Sequence, residues 1–384
     1  MGPSEIEIVA NSPALERAEA QPRLRSLLDA SPAELRDWVV ERGHSAYRAR
    51  QVFDWVFRRR AESFDRMSDL PKGLRQALAA EWAVFGTRIA YHGVAPDGTD
   101  KLVLECGDGR RIECVLMAEA DRRTICISTQ VGCGMRCVFC ASGLKGVERN
   151  LTSGEIVEQI LHARNMLPEH ETLTNIVVMG MGESLANLDN VVTALDWICS
   201  PEGLGMSQRR ATISTVGLPE KIRKLASMGR QYHLAVSLHA PTESLRDELV
   251  PVNESIGLTA VLEAADAYFE QTGRQVTYEY VMLRGINDRR EEAEALARLL
   301  RTRKAHVNLI PYNPVEGLPY GRPDPRDIEN FVGILRARGV SATVRKTKGR
   351  EIDAACGQLR RRLAQEQQIP NQATETHAQA EVLR

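Results

Sequence analysis

The stretch STQVGCGMRCVFCASG, residues 128–143, places three of the chain's eight cysteines within eight positions. Cys133, Cys137 and Cys140 form the spacing C-x3-C-x2-C. A structural zinc site takes four protein ligands, commonly as two separate C-x2-C pairs, and this chain has no second pair. Three thiolates that held a 4Fe-4S cluster would leave one iron open to a substrate or cofactor. The spacing therefore favours a catalytic iron–sulfur cluster, with structural cysteines or an incomplete zinc knuckle as the alternative.

The bulk composition is that of an ordinary globular protein. Of 384 residues, 43% are hydrophobic and 26% are charged, and the net charge of -1 gives no information about partners. No uncharged apolar run approaches the roughly 20 residues that cross a bilayer. The acidic start, MGPSEIEIVANSPALERAEAQ, lacks the apolar core of a signal peptide. We therefore expect a cytoplasmic protein without a membrane partner, whose cysteines serve metal binding or catalysis.

The first third of the chain is predicted to be helical and then to change to short strands. We expect residues 1–30 to form a disordered lead-in. Ser31 and Glu34 form a capping-box pattern, and the apolar residues of YRARQVFDWVF recur with the period of a helix. These signals predict a helical accessory domain over residues 31–87. An Asp-Gly turn in PDGTD then predicts a β meander that links the two parts over residues 88–121.

From Thr124 onward, apolar strands alternate with helices, which predicts a parallel sheet covered by helices. Six such units suit a partial barrel better than a full eight-stranded one. A seventh strand candidate, residues 340–346, need not pair in the same way. We assign residues 122–362 to the barrel and residues 363–384 to a disordered tail. The six strand candidates are TICIST (124–129), NIVVM (175–179), ATIST (211–215), HLAVSL (233–238), VTYEYVM (276–282) and HVNLI (306–310).

Polar or glycine-rich residues follow these strands. The cysteine cluster follows the first strand, GMGE (180–183) follows the second, and His239 and Asn313 follow two later ones. Chemistry in parallel α/β folds gathers at the carboxyl ends of strands, so we expect a site there. Turn-forming residues would also occur at these positions, so the pattern gains its weight from the cysteines.

The cysteine spacing after the first strand of such a series resembles the radical S-adenosylmethionine (SAM) enzymes. In that superfamily the open iron chelates the amino and carboxylate groups of SAM, and an electron from the cluster releases a 5′-deoxyadenosyl radical. The resemblance implies that Gly180 and Gly182 let the backbone approach the methionine moiety, while Glu183 accepts from its ammonium group. A plain strand-to-helix turn is the alternative interpretation of GMGE.

Three stretches together resemble the RlmN/Cfr family of adenosine RNA methyltransferases: CISTQVGCGMRCVFCASG (126–143), VVMGMGE (177–183) and IDAACGQL (352–359). The earlier YRARQVFDWVF is similar to that family's helical accessory domain, and the resemblance covers roughly residues 31–362. It implies an α/β fold, a partial (β/α)6 radical-SAM barrel with a small N-terminal helical domain and a short β linker region.

The resemblance also implies a route that consumes two SAM molecules per turnover. Carbon 2 of adenine is electron-poor, so an ordinary polar methyl transfer cannot work there. In the family, one SAM methylates a cysteine, matched by Cys356, and the radical from a second SAM takes a hydrogen from that methyl group. The resulting carbon radical adds to the adenine ring. A cysteine matched by Cys126 then attacks the sulfur of Cys356, a glutamate matched by Glu113 removes the ring proton, and a thiol reductant resets the disulfide.

These residues also have plainer interpretations. Cys126 alternates with isoleucines on a predicted strand and could be a small buried hydrophobe. Glu113 could be a solvated strand residue, and basic residues upstream of Cys356 need not lie near it. Cys106, Cys114 and Cys199 match no motif and are interpreted as structural. By the same matching, the implied SAM contacts are Gly182, Glu183, Ser214, Ser237, Leu238, His239 and Asn313.

Two basic runs flank the predicted barrel. Residues 45–60 hold five arginines against one aspartate, and residues 343–362 hold seven basic against two acidic residues. We expect them to contact RNA phosphates, although such runs are usually solvated faces. The target base must leave its stack, so single-stranded loops are the expected substrates. One position departs from the family: Ser184 stands where proline is common, which is either tolerated or marks a divergent paralogue.

The leading hypothesis is methylation of carbon 2 of an adenosine in 23S rRNA, with tRNA next to the anticodon as a further substrate. We expect a monomer that receives electrons from a flavodoxin- or ferredoxin-type donor. The nearest alternative is methylation at carbon 8, as in the Cfr branch, which has the same cysteines. A radical enzyme that acts on a small molecule or protein, and a non-catalytic RNA-binding protein with a structural cluster, are the remaining classes.

Overall fold

The computed structural model describes residues 24–359, so the predicted lead-in over residues 1–23 and the tail over residues 363–384 lie outside the described residues. Residues 24–30 were assigned to the disordered lead-in, and that part of the prediction is wrong. The strand Arg25–Ser26 pairs in parallel with Trp82–Ala83, and Leu27 and Leu28 are fully buried. Two adjacent leucines are too short a run to show a helical or strand period, so the pattern gave no signal. The remaining domain boundaries stay predictions.

The helical unit forms around the apolar faces that the sequence indicates. The Ser31 hydroxyl accepts a hydrogen bond from the backbone N–H of Glu34 at 3.1 Å and caps the first helix. The carboxylate of Glu34 pairs with Arg25 at 2.5 Å, outside the capping pattern. In the second helix Val52, Phe53 and their helical neighbours face the core. The three helices are α1 (Pro32–Glu41), α2 (Tyr47–Phe57) and α3 (Lys72–Glu81).

Strands occupy the rest of the chain in alternation with helices. The strands are β1 (Arg25–Ser26), β2 (Trp82–Ala83), β3 (Arg88–Val94), β4 (Thr99–Glu105), β5 (Arg111–Glu119), β6 (Arg122–Cys126), β7 (Gln130–Gly132), β8 (Val147–Asn150), β9 (Asn175–Val178), β10 (Ala211–Thr215), β11 (His233–Ser237), β12 (Val276–Met282), β13 (Ala305–Pro311) and β14 (Ser341–Val344). The helices are α4 (Ser153–Met166), α5 (Leu188–Cys199), α6 (Pro219–Ser227), α7 (Glu243–Leu249), α8 (Asn253–Ile256), α9 (Leu258–Thr272), α10 (Arg290–Leu300) and α11 (Pro325–Ala337).

Within residues 24–359, a ten-stranded sheet runs in the order β14-β13-β12-β11-β10-β9-β6-β5-β4-β3. The strands from β6 to β14 in this order are parallel, and helices connect most of them. All six predicted strands form. The seventh candidate also joins, because β14 pairs in parallel with β13. The predicted α/β fold with a partial barrel is confirmed.

The predicted linker strands are part of the same sheet. Strands β3, β4 and β5 form the expected antiparallel meander, and β5 pairs with β6 at the edge of the parallel strands. Val115 on β5 lies opposite Cys126 on β6. Side chains of the meander therefore share a face with residues of the barrel, which a separate linker would not allow.

A buried polar cluster joins the helical unit to the barrel. Glu158 on α4 accepts from the Ser26 hydroxyl at 2.6 Å, from the Gly86 N–H at 2.8 Å and from the Thr87 N–H at 2.6 Å. Arg164, six residues further along α4, donates to the carbonyls of Val56 and Phe57 at the end of α2. These bonds fix the helical unit against α4. None of the helices among residues 24–359 is long and apolar enough to span a bilayer.

Candidate active site

The three clustered cysteines lie in the loop between β7 and β8, a small antiparallel hairpin that the sequence analysis missed. Gly132 has φ +80°, and a Cβ at this position would lie 2.0 Å from the Gly146 carbonyl oxygen. The hairpin therefore requires glycine there. The Cys133 N–H donates to the Gly146 carbonyl at 3.1 Å and closes the loop. Cys133, Cys137 and Cys140 all border one cavity at the carboxyl ends of the parallel strands, which we call the cluster cavity.

The donor set of this loop fits an iron–sulfur cluster. Burial raises the pKa of all three thiols, to about 12 for Cys133, so they stay protonated until a metal replaces the proton. Among residues 24–359, no three His, Cys, Asp or Glu side chains lie close enough together to hold a single ion. A 4Fe-4S cluster does not need such convergence, because each thiolate binds its own iron. Three cysteines on one loop can therefore supply one thiolate to each of three irons.

The GMGE turn packs tightly against the chain that follows β6. A Cβ on Gly180 would lie 2.7 Å from the Ile127 carbonyl oxygen. Gly182 has φ +107°, and a Cβ there would lie 2.7 Å from both the Gln130 Cβ and the Thr129 hydroxyl. These glycines therefore have a packing reason of their own, apart from the approach to a cofactor that the sequence suggested.

Ser184 fits the turn without the proline that is common in related sequences. Its side chain is buried, and its hydroxyl donates to the Val178 carbonyl at 3.2 Å. Ser184 also begins the short 3-10 helix Ser184–Asn187. A local hydrogen bond thus holds the turn where the proline ring would restrict it.

Glu183 is buried and firmly held at the wall of the cluster cavity. One carboxylate oxygen accepts from the Leu185 N–H at 2.9 Å and the other from the Val216 N–H at 2.8 Å. Burial raises the pKa of Glu183, and these bonds act in the opposite direction. Each carboxylate oxygen has a second lone pair, so Glu183 can also accept from an ammonium group in the cavity.

His239 lies in the cluster cavity as a neutral imidazole. Its backbone has φ +62°, and its Nδ1 accepts from the Val281 N–H at 3.1 Å. The ring packs edge-on against Phe139 with centroids 4.9 Å apart. Burial, and then the nearby Arg246, lower the pKa of His239 to about 3. The aromatic residue of the cysteine motif and the histidine after β11 therefore form one wall.

Six of the seven implied SAM contacts line the cluster cavity, and Leu238 does not. The Leu238 side chain is fully buried in the hydrophobic core, and its N–H donates to the Glu279 carbonyl at 2.9 Å. It can reach the cavity through its backbone alone. The residues that line the cavity are Gly182, Glu183, Ser214, Ser237, His239 and Asn313.

The segment that carries Cys356 is bonded directly to the cysteine loop. The Asn313 side chain donates to the Cys356 carbonyl at 3.2 Å, and the Ala141 N–H donates to the Gly357 carbonyl at 2.9 Å. The Ser142 hydroxyl donates to the Leu359 carbonyl at 2.7 Å. These bonds place Cys356 at the border of the cluster cavity, next to the residues that would hold the cluster.

A second cavity adjoins the first, and we call it the cysteine cavity because Cys126 and Cys356 both line it. Its apolar wall includes Val115, Met117 and Met179, and Lys346 and Lys348 line its basic side. Both cysteines are free thiols. The residues common to the two cavities are Met179, Ile310, Asn313, Arg345 and Cys356. Cys356 is therefore the one cysteine that both cavities reach.

Opposing effects act on the thiols of the cysteine cavity. Burial raises the pKa of Cys126 to about 12, and the charge of Cys356 adds to the rise, whereas Arg345 opposes it. The pKa of Arg345 is raised, most by Cys356 and then by Glu279 and Cys126, so that guanidinium stays charged. The sequence showed Arg345 upstream of Cys356 but not their proximity. It gave no signal for Glu279, which lies buried on β12.

Glu113 is buried on β5, so the interpretation as a solvated residue is wrong. Only 1% of its side chain is exposed, and its carboxylate pairs with the Lys101 ammonium at 3.1 Å. Glu113 lies two positions from Val115, which pairs with Cys126, so all three side chains share one face of the sheet. Glu113 itself lines neither of the two cavities.

The remaining cysteines lie outside both cavities. Cys106 and Cys114 are buried, and Cys199 is half-buried at the end of α5. Burial raises the pKa of Cys199 to about 11, so it stays protonated near neutral pH. None of the three borders the cluster cavity or the cysteine cavity.

Comparisons with known proteins match both parts of the chain. Residues 25–84 match the ribosomal RNA large subunit methyltransferase N-terminal domain, and residues 127–300 match the radical SAM superfamily. A probable dual-specificity RNA methyltransferase RlmN from Rhodopirellula baltica is 54% identical over 340 residues, which cover 88% of this chain and 92% of that protein. A protein of the same description from Clostridium perfringens strain 13 is 42% identical over 339 residues, 88% of this chain and 97% of its own.

A solved structure supports the same assignment. The crystal structure of a radical SAM methyltransferase from Sphaerobacter thermophilus aligns with a TM-score of 0.86 and 45% sequence identity. The alignment covers 88% of this chain and 99% of that one. The resemblance seen in the three sequence stretches is thereby confirmed.

Proposed function

Because the chain belongs to the RlmN family of radical SAM RNA methyltransferases, we propose that it methylates carbon 2 of an adenosine in 23S rRNA, and of an adenosine next to the anticodon of tRNA. The position on the base and the covalent route are the proposal. The observation that supports the covalent route is the pair Cys126 and Cys356, far apart in sequence and brought to one cavity beside the cluster cavity.

Cys133, Cys137 and Cys140 would hold the 4Fe-4S cluster of this family, and the six residues that line the cluster cavity would hold SAM. When bound, these groups supply a sulfonium methyl group and a 5′-deoxyadenosyl radical. Two SAM molecules per turnover are part of the proposal, because Cys356 must first receive a methyl group and then lose a hydrogen atom from it. The position of Cys356 between the two cavities suits both roles.

Cys356 needs thiolate character to accept a methyl group. The Arg345 guanidinium lies near its sulfur. The Asn313 and Ala141 bonds hold the segment, so the sulfur keeps its position while the methyl group is transferred. A methyl group on this sulfur would border the cysteine cavity, which the adenine ring is proposed to approach.

Cys126 is placed to release the product. Its sulfur lies in the same cavity as Cys356 and would attack the Cys356 sulfur, so that a disulfide replaces the bond from that sulfur to the methylene carbon. The released methylene carbon would take up a proton to become the methyl group, and the odd electron left by the radical addition would pass back to the cluster. Val115, Met117 and Met179 form the apolar wall beside this step. Glu113 would take up the ring proton, and an external thiol reductant would restore the two thiols.

RNA contacts are proposed mainly at the mouth of the cysteine cavity. Lys346 and Lys348 line that cavity and can contact the phosphates beside a base that has left its stack. The first basic run is largely used within the protein: Arg48 donates to the Asp69 carbonyl at 3.1 Å, and Arg60 donates to the Glu171 carbonyl at 3.3 Å. We therefore assign RNA binding first to Lys346 and Lys348. A monomer with a flavodoxin- or ferredoxin-type electron donor completes the proposal.

The test is the identity of the methylated nucleoside. Anaerobically purified protein with its cluster is incubated with SAM, a reductant and either 23S rRNA fragments or tRNA, and the digested RNA is analysed by mass spectrometry. We expect 2-methyladenosine in both RNAs, and none with the variant Cys356→Ala. The appearance of 8-methyladenosine would replace the proposal with the Cfr-type reaction. Formation of 5′-deoxyadenosine without RNA methylation would contradict RNA as the substrate.

A further inference from the structure

Lys101, the buried ion-pair partner of Glu113, belongs to none of the motifs found in the sequence. We propose that Lys101 is a positioning residue for the reaction: it holds the Glu113 carboxylate on the sheet face that Glu113 shares with Cys126, and it couples that carboxylate to the segment that carries Cys356. The inference rests on the proposed function, in which Glu113 receives the proton of carbon 2. The proton ends on the carboxylate, and the electrons of the C–H bond stay with the adduct.

The geometry places Lys101 between the base and the catalytic segment. Its ammonium lies 3.1 Å from the Glu113 carboxylate and donates to the Asp353 carbonyl at 3.1 Å. Asp353 stands three positions before Cys356. Lys101 is 3% exposed, so this connection is made inside the protein.

Strand register brings the same residues into one row. Lys101 on β4 lies opposite Val115 on β5, and Val115 lies opposite Cys126 on β6. Directly opposed side chains have Cβ atoms about 4.5–5.5 Å apart. Glu113 points to the same side as Val115, because the two are separated by two positions on β5. Lys101, Glu113 and Cys126 thus share one face, although they lie on three different strands.

Stability alone gives no reason for this pair. The cost of removing two charges from water often exceeds the attraction between them, and an apolar pair of similar volume can be as stable. A buried carboxylate needs a paired cation to remain ionised, and only the ionised form can accept a proton. An ion pair inside a catalytic region is therefore better explained by the reaction than by folding.

A second anchor of the Cys356 segment provides a matched control. The Gly349 N–H donates to the Asp97 carboxylate at 2.9 Å, and the Ala354 N–H donates to the Gly349 carbonyl at 2.9 Å. Asp97→Ala removes an anchor of the same segment without a direct contact to Glu113. A role of Lys101 in merely holding the segment would make Lys101→Gln behave like Asp97→Ala.

The experiment compares Lys101→Gln, Lys101→Arg, Asp97→Ala and Glu113→Gln in the cluster-loaded enzyme. For Lys101→Gln we expect Cys356 to be S-methylated as in the wild type and the KM for RNA to be unchanged. The kcat for RNA methylation should fall by about 100-fold, which is the lower end of the effect of losing a general base. A covalent protein–RNA species should accumulate on denaturing gels, because the adduct forms but keeps its ring proton. Lys101→Arg should restore most of the rate, since it restores the cation.

A double variant keeps the test independent of folding. Lys101→Gln combined with Glu113→Gln leaves no unpaired buried charge, and it should lose no more activity than Glu113→Gln alone. The role of Lys101 would be overturned if the activity losses of Lys101→Gln and Glu113→Gln added up in the double variant. It would also be overturned if Lys101→Gln lost Cys356 methylation as Asp97→Ala does. Unimpaired RNA methylation in Lys101→Gln would do the same. A wild-type enzyme without S-methylated Cys356 would instead overturn the proposed function, and the role of Lys101 with it.

Discussion

The cluster cavity and the cysteine cavity share a border but are built in different ways. The cluster cavity is formed from short motifs, each of which supplies several of its residues: the cysteine loop, the GMGE turn and the ends of β10 and β11. The cysteine cavity takes residues from β5, β6 and the segment after β14, which are distant in sequence. The proposed cofactor chemistry therefore depends on local motifs, and the proposed methyl transfer to RNA depends on strand order. The two functions should be separable by single substitutions.

The largest expected effect is the loss of a cluster ligand, which should disable both cavities together. Cys140→Ser removes one of the three thiolates, and the iron content should fall from about four per chain toward zero. Formation of 5′-deoxyadenosine and RNA methylation should both drop below detection. Iron analysis and product chromatography measure this outcome. A variant that keeps its iron and cleaves SAM would show that Cys140 is no ligand.

Cys356→Ala should separate the two cavities. RNA methylation should be abolished, because no sulfur remains to carry the methyl group, while SAM cleavage to 5′-deoxyadenosine should persist. Cys199→Ala is the matched control, since Cys199 borders neither cavity, and it should retain both activities. Loss of SAM cleavage in Cys356→Ala would show that the cavities cannot be treated as separate.

Gly182→Ala should affect the cluster cavity alone and more moderately. The new Cβ would lie 2.7 Å from Gln130 and Thr129, and the positive φ adds strain of about 1–3 kcal/mol. We expect a SAM KM raised by about tenfold, equivalent to about 1.4 kcal/mol of binding free energy, and a lower unfolding midpoint. Gly205→Ala also has a positive φ, +65°, but open space around it, so it measures the cost of a left-handed backbone without a steric contact. Equal effects of the two substitutions would contradict the packing explanation.

The smallest expected effect is a pH dependence of stability at His239. The folded pKa is about 3, below the usual value of 6.5, so the unfolded chain takes up a proton first as the pH falls. The stabilisation is present above pH 6.5 and is lost as the pH falls toward 3. Between pH 7 and pH 5.5 this contributes about 1 kcal/mol. Urea unfolding of wild type and His239→Asn at both pH values should show a smaller loss in the variant; equal losses would contradict the neutral imidazole.

Residues of the cluster cavity were largely predictable from sequence. The cysteine spacing pointed to Cys133, Cys137 and Cys140, which lie near one another along the chain, and the family resemblance added Glu183. Leu238 shows that motif matching cannot tell which way a side chain faces. Alternate residues of an extended segment point to opposite sides, and the Leu238 side chain faces the core.

Residues of the cysteine cavity were predictable only through the family resemblance. Nothing local to Cys126 distinguishes it from a buried structural cysteine. The residues around it were harder still, because Lys101 meets Glu113, and Arg345 meets Glu279 and Cys356, only once the strands have paired. The β7–β8 hairpin was missed for another reason: two short polar strands carry no clear alternation of apolar residues.

The most direct test of the two-cavity account is peptide mass spectrometry of Cys356 in protein purified with its cluster intact. The account predicts a methyl group on the Cys356 sulfur after incubation with SAM and reductant, and an unmodified Cys126. An unmodified Cys356 under the same conditions, in protein that cleaves SAM, would contradict the account, because the sulfur at the border of the two cavities would then not carry the methyl group.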